Sequence, residues 1–168
     1  RTHHVHGIFA STAEIAKNLQ EAEVAPFWQG YKVTLQQLPM AVRRNGLLPA
    51  LALAAKVIAK EKKPLRQKGR RRALADCARS LQKWHGATAL GIALPGIDAT
   101  LDVTPEARVM GWITALKTAP LDAYQHTQDE LVEIIVWLKL LSDAEAPMIE
   151  PDDGEDDDAE PPVPGSAS

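Results

Sequence analysis

Apolar residues return at helical spacing along most of the chain. Trp28, Tyr31, Leu35, Leu38 and Val42 recur in steps of three and four, which sets them on one face of an α-helix. Leu47, Leu48, Leu51, Ala54, Ala55 and Ile58 make a second such face. Asn45-Gly46 lies between them. Both residue types tolerate the left-handed backbone that ends a helix, so the pair predicts a C-cap and a corner. Pro49 then falls in the first turn of the next helix, where a missing N–H costs little. Pro39 sits inside the first pattern and is expected to kink it or split it in two.

The same reading extends to the rest of the chain. Ser11-Thr12-Ala13-Glu14 has the form of a capping box. It predicts a first helix through Ile15, Ala16, Leu19 and Ala22 to about Glu23, after which Pro26 restarts the chain. The helix after the corner fades at Lys62-Lys63-Pro64. Leu74, Cys77, Leu81 and Trp84 predict a fourth helix over 65–84, with Gly86 as its C-cap. From 86 to 104 the helical period disappears. The segment is apolar but broken by Gly91, Pro95 and Gly96, and reads as an ordered loop. Thr104-Pro105-Glu106 is a helix start, with Thr as N-cap and an acid in the first turn. Val109, Trp112, Ile113 and Leu116 give that helix its core face before Pro120 stops it. Thr127-Gln128-Asp129-Glu130 has the form of a capping box for the last helix. Leu131, Ile134, Ile135, Leu138 and Leu141 form its stripe, and it ends near Ala144. The sum is an all-α chain, a compact bundle of about six helices over 1–144. With Ala and Leu abundant and alternating β-branched runs scarce, composition points the same way.

Charge divides the chain in two. Its 168 residues carry a formal net charge of −3. Residues 143–168 hold ten acids and no Lys or Arg, so residues 1–142 hold 12 acids against 19 bases, a net of +7. A basic body suits a polyanionic partner. The acidic segment, 145–168, is also rich in Pro, Gly and Ser. It has too little apolar surface to form a core and is expected to be a disordered tail.

No catalytic constellation stands out. There is no Gly-rich phosphate loop, no HExxH and no CxxC, and nothing calls for a cofactor. Cys77 lies on a core stripe and reads as a buried, inert thiol. It allows no internal disulfide, which fits a reducing cytoplasm. His3, His4 and His6 lie on an N-terminal stretch with no Cys or carboxylate beside them, and read as no metal site. His126 and Asp129 read as a polar cluster at a helix start. No apolar run approaches the ~20 residues needed to cross a bilayer.

The main signal for a partner is the basic segment. Residues 56–83 carry eleven Lys and Arg against Glu61 and Asp76, a net of +9, and seven of these cations lie between Lys62 and Arg72. That run is expected to be a linker or a frayed helix start. Nucleic-acid phosphates are its natural partner, through counterion release. No aromatic residue interleaves the run, so the expected mode is backbone contact without base reading. Lys56, Lys60, Arg70, Arg71 and Arg72 are the candidates here. Arg43 and Arg44, at the corner, form a second patch, and cations at that position also complement a helix C-terminus.

Two blocks of residues resemble a known family. The first is Tyr31, Leu38-Pro39, Asn45-Gly46-Leu47 and Lys56. The second is Tyr124, Glu130-Leu131, Trp137-Leu138-Lys139 and Ala144. Together they resemble the small subunit of the Cmr complex, the type III-B CRISPR RNA-guided effector of antiviral defence. The resemblance implies an all-helical, non-catalytic subunit whose copies stack in a short filament beside the backbone subunits. The large subunit would be a further partner, and CRISPR RNA and target RNA would be cradled between the filaments. It carries RNA contact over to Arg43, Arg44, Lys56 and Lys139. The loop over 86–104 and the tail are longer than the family pattern. A different class of function remains open on the residues alone: a helical adaptor whose basic segment binds an acidic protein or its own acidic tail.

Overall fold

Two long helices cross so closely that a side chain at the contact would not fit, and the other helices are arranged around that crossing. The computed structural model describes residues 2–89, 113–114 and 116–152. Helix α1 spans Thr2–Lys17, α2 Glu21–Asn45, α3 Leu47–Lys60, α4 Pro64–Ala89 and α5 Leu121–Glu145. The fold is all-α, and no strand occurs among the described residues. Residues 113–114 and 116–117 are helical, with Leu116 buried in the core. The helix start at Thr104 and most of the loop over 86–104 lie outside the described residues.

Helix α2 is the hub. It packs most extensively on α4 and also touches α3, α5 and α1. Where α2 meets α4, a Cβ on Gly30 would overlap the Arg66 carbonyl, and a Cβ on Gly69 would overlap the Phe27 carbonyl. Glycine costs a helix interior about 1 kcal/mol against alanine. Here the absent side chains let the two backbones come into direct contact. Beside the crossing, Phe27, Trp28, Tyr31 and Phe9 form an aromatic cluster, with Trp28 and Tyr31 edge to face at 5.4 Å. Leu35, Leu38 and Val42 continue this face of α2 toward Leu47 and Leu51 of α3 and Leu131, Ile134, Ile135 and Leu138 of α5, all buried.

The corner forms as its residues predict. Gly46 has φ +82°, and its N–H closes the end of α2 on the Val42 carbonyl at 2.8 Å. Pro49 sits in the first turn of α3. Several expected boundaries differ. Helix α2 runs unbroken through both Pro26 and Pro39. The α1 helix begins at Thr2, so Ser11–Glu14 lies within it, and the chain turns at 18–20 rather than continuing to Glu23. The start of α2 has the capping contact instead, with the Gln20 N–H donating to the Glu23 carboxylate at 3.0 Å. Helix α4 continues through Gly86 to Ala89. Helix α5 begins at Leu121, which leaves Thr127 inside it, its hydroxyl donating to the Ala123 carbonyl. In both misplaced boxes the Thr hydroxyl is used within the bundle and not at a helix end.

Past Glu145 the chain stays packed. Ala146 is buried and Ile149 rests on the core, so residues just past the end expected near Ala144 still pack on the bundle.

Substituting Gly69→Ala should cost about 3 kcal/mol or more, because backbone and not a flexible side chain occupies the space. Gly7, in α1, has nothing near a built Cβ, so Gly7→Ala should raise stability by about 0.5–1 kcal/mol. Urea unfolding of the two variants against wild type separates these outcomes. Equal stability of Gly69→Ala and wild type would refute the crossing.

Candidate nucleic-acid interface

The basic segment forms two groups of cations with different surroundings. Those facing the bundle are fastened by acids. Arg66 is buried, with its guanidinium donating to the Asp152 carboxylate at 2.8 Å and also to the Asp152 carbonyl, and with Glu61 at 3.3 Å. Arg70 is buried too, its Nε donating to Glu61 at 3.0 Å. Arg72 donates to the Thr12 hydroxyl at 2.7 Å and lies 3.2 Å from the Asp76 carboxylate. The expectation that Arg70 and Arg72 belong to an open phosphate-facing run is therefore corrected. On a regular helix every third or fourth residue faces the core, so a cation-rich stretch inevitably turns some of its cations inward. Those remain only because Glu61, Asp76 and Asp152 neutralise them.

Thr12, Tyr31, Arg72 and Asp76 join α1, α2 and α4. The Thr12 and Tyr31 hydroxyls both donate to the Asp76 carboxylate, the latter at 2.9 Å. Burial pushes the Asp76 carboxyl above its ordinary value, while Arg72 and the two hydroxyls pull it part of the way back. Burial, and then Asp76 beside it, hold the Tyr31 phenol well above its ordinary value, so it remains a donor. Burial likewise pushes the Cys77 thiol up, which leaves it inert.

The other group is exposed. Arg43 and Arg44 lie on the last turn of α2, Lys56 and Lys60 one turn apart on α3, and Arg71 on α4. Helix α3 doubles back along α2, and between them runs a groove of about 320 Å³ lined by Leu38, Ala41, Ala54 and Val57, with Arg44 and Arg70 also on its wall. Lys56 lies about 14 Å along α3 from the corner, so Arg43, Arg44, Lys56 and Lys60 form a row and not a knot. Lys139 is exposed but stands apart. The opposite end of α5 meets the corner through the Tyr124 hydroxyl, which accepts the Leu48 N–H at 3.1 Å, and Lys139 is about 22 Å farther along.

That bond joins the two sequence blocks that resemble the Cmr small subunit. Tyr124 fills the start of α3 directly beside Asn45-Gly46-Leu47. A family model described as CRISPR-associated protein (Cas_Cmr5) matches residues 9–145, from α1 through the end of α5. The chain belongs to the Cas_Cmr5 family. It is thus a subunit of the type III-B CRISPR Cmr complex and associates with other subunits of that effector. No curated protein and no solved structure matches it. The Cas_Cmr5 match includes every candidate cation and ends before residues 146–152.

Three functional-looking residues escaped the sequence reading. Lys32 is buried on the core helix, with Nζ donating to the Ala146 and Ile149 carbonyls at 2.6 and 2.7 Å and with Asp143 at 3.3 Å. It caps the carbonyl end of α5 with a positive charge. Arg66 and Asp152 form the other pair, 86 residues apart. No local pattern signals a lysine or arginine whose partner is that distant in sequence. His126 faces Glu130, at 3.7 Å, instead of Asp129. His3, His4 and His6 are exposed on α1, and among the described residues no three His, Cys, Asp or Glu side chains converge as metal ligands. No described helix is long and apolar enough to cross a membrane.

Arg72→Ala should destabilise the fold by about 3 kcal/mol, since it leaves Asp76 buried without its cation. Arg71→Ala, one residue earlier and exposed, should leave the melting temperature unchanged. Thermal unfolding of the pair checks this, and equal behaviour would refute the division between inward and outward cations.

The raised Asp76 value sets a pH dependence. The folded state holds this proton more tightly than the unfolded chain, so the residue's stabilising contribution is full below the ordinary pKa of 3.8 and is lost as pH rises through the folded value. Asp76→Asn mimics the protonated form. Its melting temperature should therefore gain on wild type as pH rises through that window. A gap that is constant with pH would contradict the assignment.

Proposed function

We propose that this chain is a non-catalytic, structural subunit that holds the guide and target RNA by their phosphate backbones. The supporting observation is the row of exposed cations around the Gly46 corner: Arg43 and Arg44 on one side, Lys56 and Lys60 on the other. Arg71 and Lys139 add outlying charge, while Arg70 and Arg72 hold the helices that present the row. A row along a rigid helical hairpin suits an extended polyanion, and lysines and arginines without interleaved aromatics grip phosphates and not bases. The arrangement supplies positioning and charge. Reaction chemistry on the RNA falls to other subunits of the complex, which works in the cytoplasm.

In this reading, copies of the chain stack on one another and on the backbone subunits through apolar surface. Met40 and Leu53, on the facing helices α2 and α3, are about half exposed, as are Val136 and Leu140, one turn apart on α5. Exposed apolar pairs of this kind are the usual material of subunit contacts.

The test reverses the row: Arg43→Glu, Arg44→Glu and Lys56→Glu together, in the reconstituted complex. Circular dichroism should be unchanged, since all three side chains are exposed. RNA capture should fall by at least about tenfold, and the salt dependence should flatten by roughly 0.7–0.9 in slope for each phosphate no longer engaged. Wild-type capture and cleavage by the triple variant would refute this surface.

A further inference from the structure

The chain past the last helix is clamped by two buried cations, Lys32 of α2 and Arg66 of α4. Lys32 binds the carbonyls of Ala146 and Ile149, and Arg66 binds both the carboxylate and the carbonyl of Asp152. Lys32 is 5 % exposed and Arg66 6 %, so both contacts are built into the core face of the α2–α4 crossing. Together they deliver the chain, at Asp152, to the first turn of α4. Lys63 and Lys68 are exposed on and beside that turn, Lys60 closes α3 next to it, and Arg71 is exposed one turn farther on. The sequence beyond Asp152 is of opposite sign. Residues 153–160 contain Asp153, Glu155, Asp156, Asp157, Asp158 and Glu160 and no cation.

From these facts we infer that the acidic segment after Asp152 is an intramolecular stand-in for nucleic acid, which occupies the basic surface of α4 and the end of α3 until RNA displaces it. The inference rests on the RNA-backbone reading above and adds a regulation at the far end of that surface, where Lys60 and Arg71 belong to both. Reach is sufficient: Arg71 lies about 8 Å along α4 from Arg66, a span that about three extended residues cover. Tethering raises the local concentration of carboxylates to the millimolar range, so individually weak surface pairs compete as a group. Because these pairs are exposed, salt screens them, and the competition fades as ionic strength rises. The anchor at Ala146, Ile149 and Asp152 lies just past the residues that match the family model.

Three forms of the full helical body test it: wild type, a truncation after Asp152, and a form with the six acids of 153–160 changed to Asn or Gln. The truncation keeps Asp152 and the anchor, so the bundle is intact in all three. Fluorescence anisotropy with a labelled single-stranded RNA should show the truncated and neutralised forms binding about tenfold more tightly than wild type at about 50 mM salt. That gap should narrow at about 300 mM. A nitroxide on Ser166→Cys gives a direct reading, since native Cys77 is buried and escapes labelling. It should broaden the amide signals of Lys63–Arg71, and added RNA should restore them. Equal RNA affinity of the three forms, or no broadening, overturns the inference. If no form binds RNA, the RNA-backbone reading fails and the competition fails with it, while persistent broadening would still report the tail contact itself.

Discussion

The close crossing of α2 and α4 sets the rest of the structure. Gly30 and Gly69 each face a carbonyl of the other helix at a distance that admits no Cβ. Such contact fixes both the angle and the register of the two helices, because any slide would drive a side chain into backbone. The register then decides which polar groups meet. Tyr31, next to Gly30, reaches Asp76, and Asp76 in turn gathers Thr12 of α1. Lys32 and Arg66, also beside the crossing, both point toward the end of α5 and the short segment beyond it. Two glycines that weaken their own helices thereby give the bundle a single arrangement.

Buried charge in this molecule is paired. Each inward cation is matched by an acid: Arg66 by Asp152, 86 residues away, Arg70 by Glu61 just before α4, and Arg72 by Asp76 one turn along the same helix. A net-charge count over 56–83 treats all eleven cations alike, yet at least three contribute to the interior. Removing one member of such a pair costs more than the pair gives, because the partner is left in a poor solvent for ions. The exposed positive surface is therefore smaller than the sequence charge suggests, because Arg66, Arg70 and Arg72 do not contribute to it.

What could be read in the sequence was what local physics decides. The apolar period located the main helices, Asn45-Gly46 marked the corner, and Pro49 fell in a first turn, because spacing, a left-handed cap and a missing N–H act within a few residues. The boxes Ser11–Glu14 and Thr127–Glu130 were misread as helix starts because a Ser or Thr followed three residues later by Glu has the same local signature inside a helix. Only the partner, Asp76 in one case and the Ala123 carbonyl in the other, tells them apart. Pro39 was expected to break α2, yet the helix continues through it, held on both sides by buried Leu38 and Val42. The inward turn of Arg70 follows from the stripe of Leu74 and Cys77, four and seven residues on, whereas Arg72 lies off that stripe and is drawn in by Thr12 of α1 and by Asp76. The outward faces of Arg43, Arg44, Lys56 and Lys60 were legible from the apolar stripes opposite them, and the anchor at Lys32 and Arg66 was not.

The corner and the tail anchor lie at opposite ends of α5. Tyr124 meets the corner near one end, Ala146 meets Lys32 at the other, and α2 packs along the distance between them. A rigid α2–α5 pair therefore couples the position of the cation row to the place where the acidic segment leaves the body. If residues 146–152 were loose, the acids beyond them would sample a wide volume and meet the basic surface rarely. Clamped at Asp152, they start within one or two turns of Lys68 and Arg71. Two buried cations are costly to desolvate, and ending the chain at α5 would have needed only one of them as a helix cap. Pairing the second, Arg66, with Asp152 neutralises a buried guanidinium of α4, and the same contact fixes where the acidic segment begins.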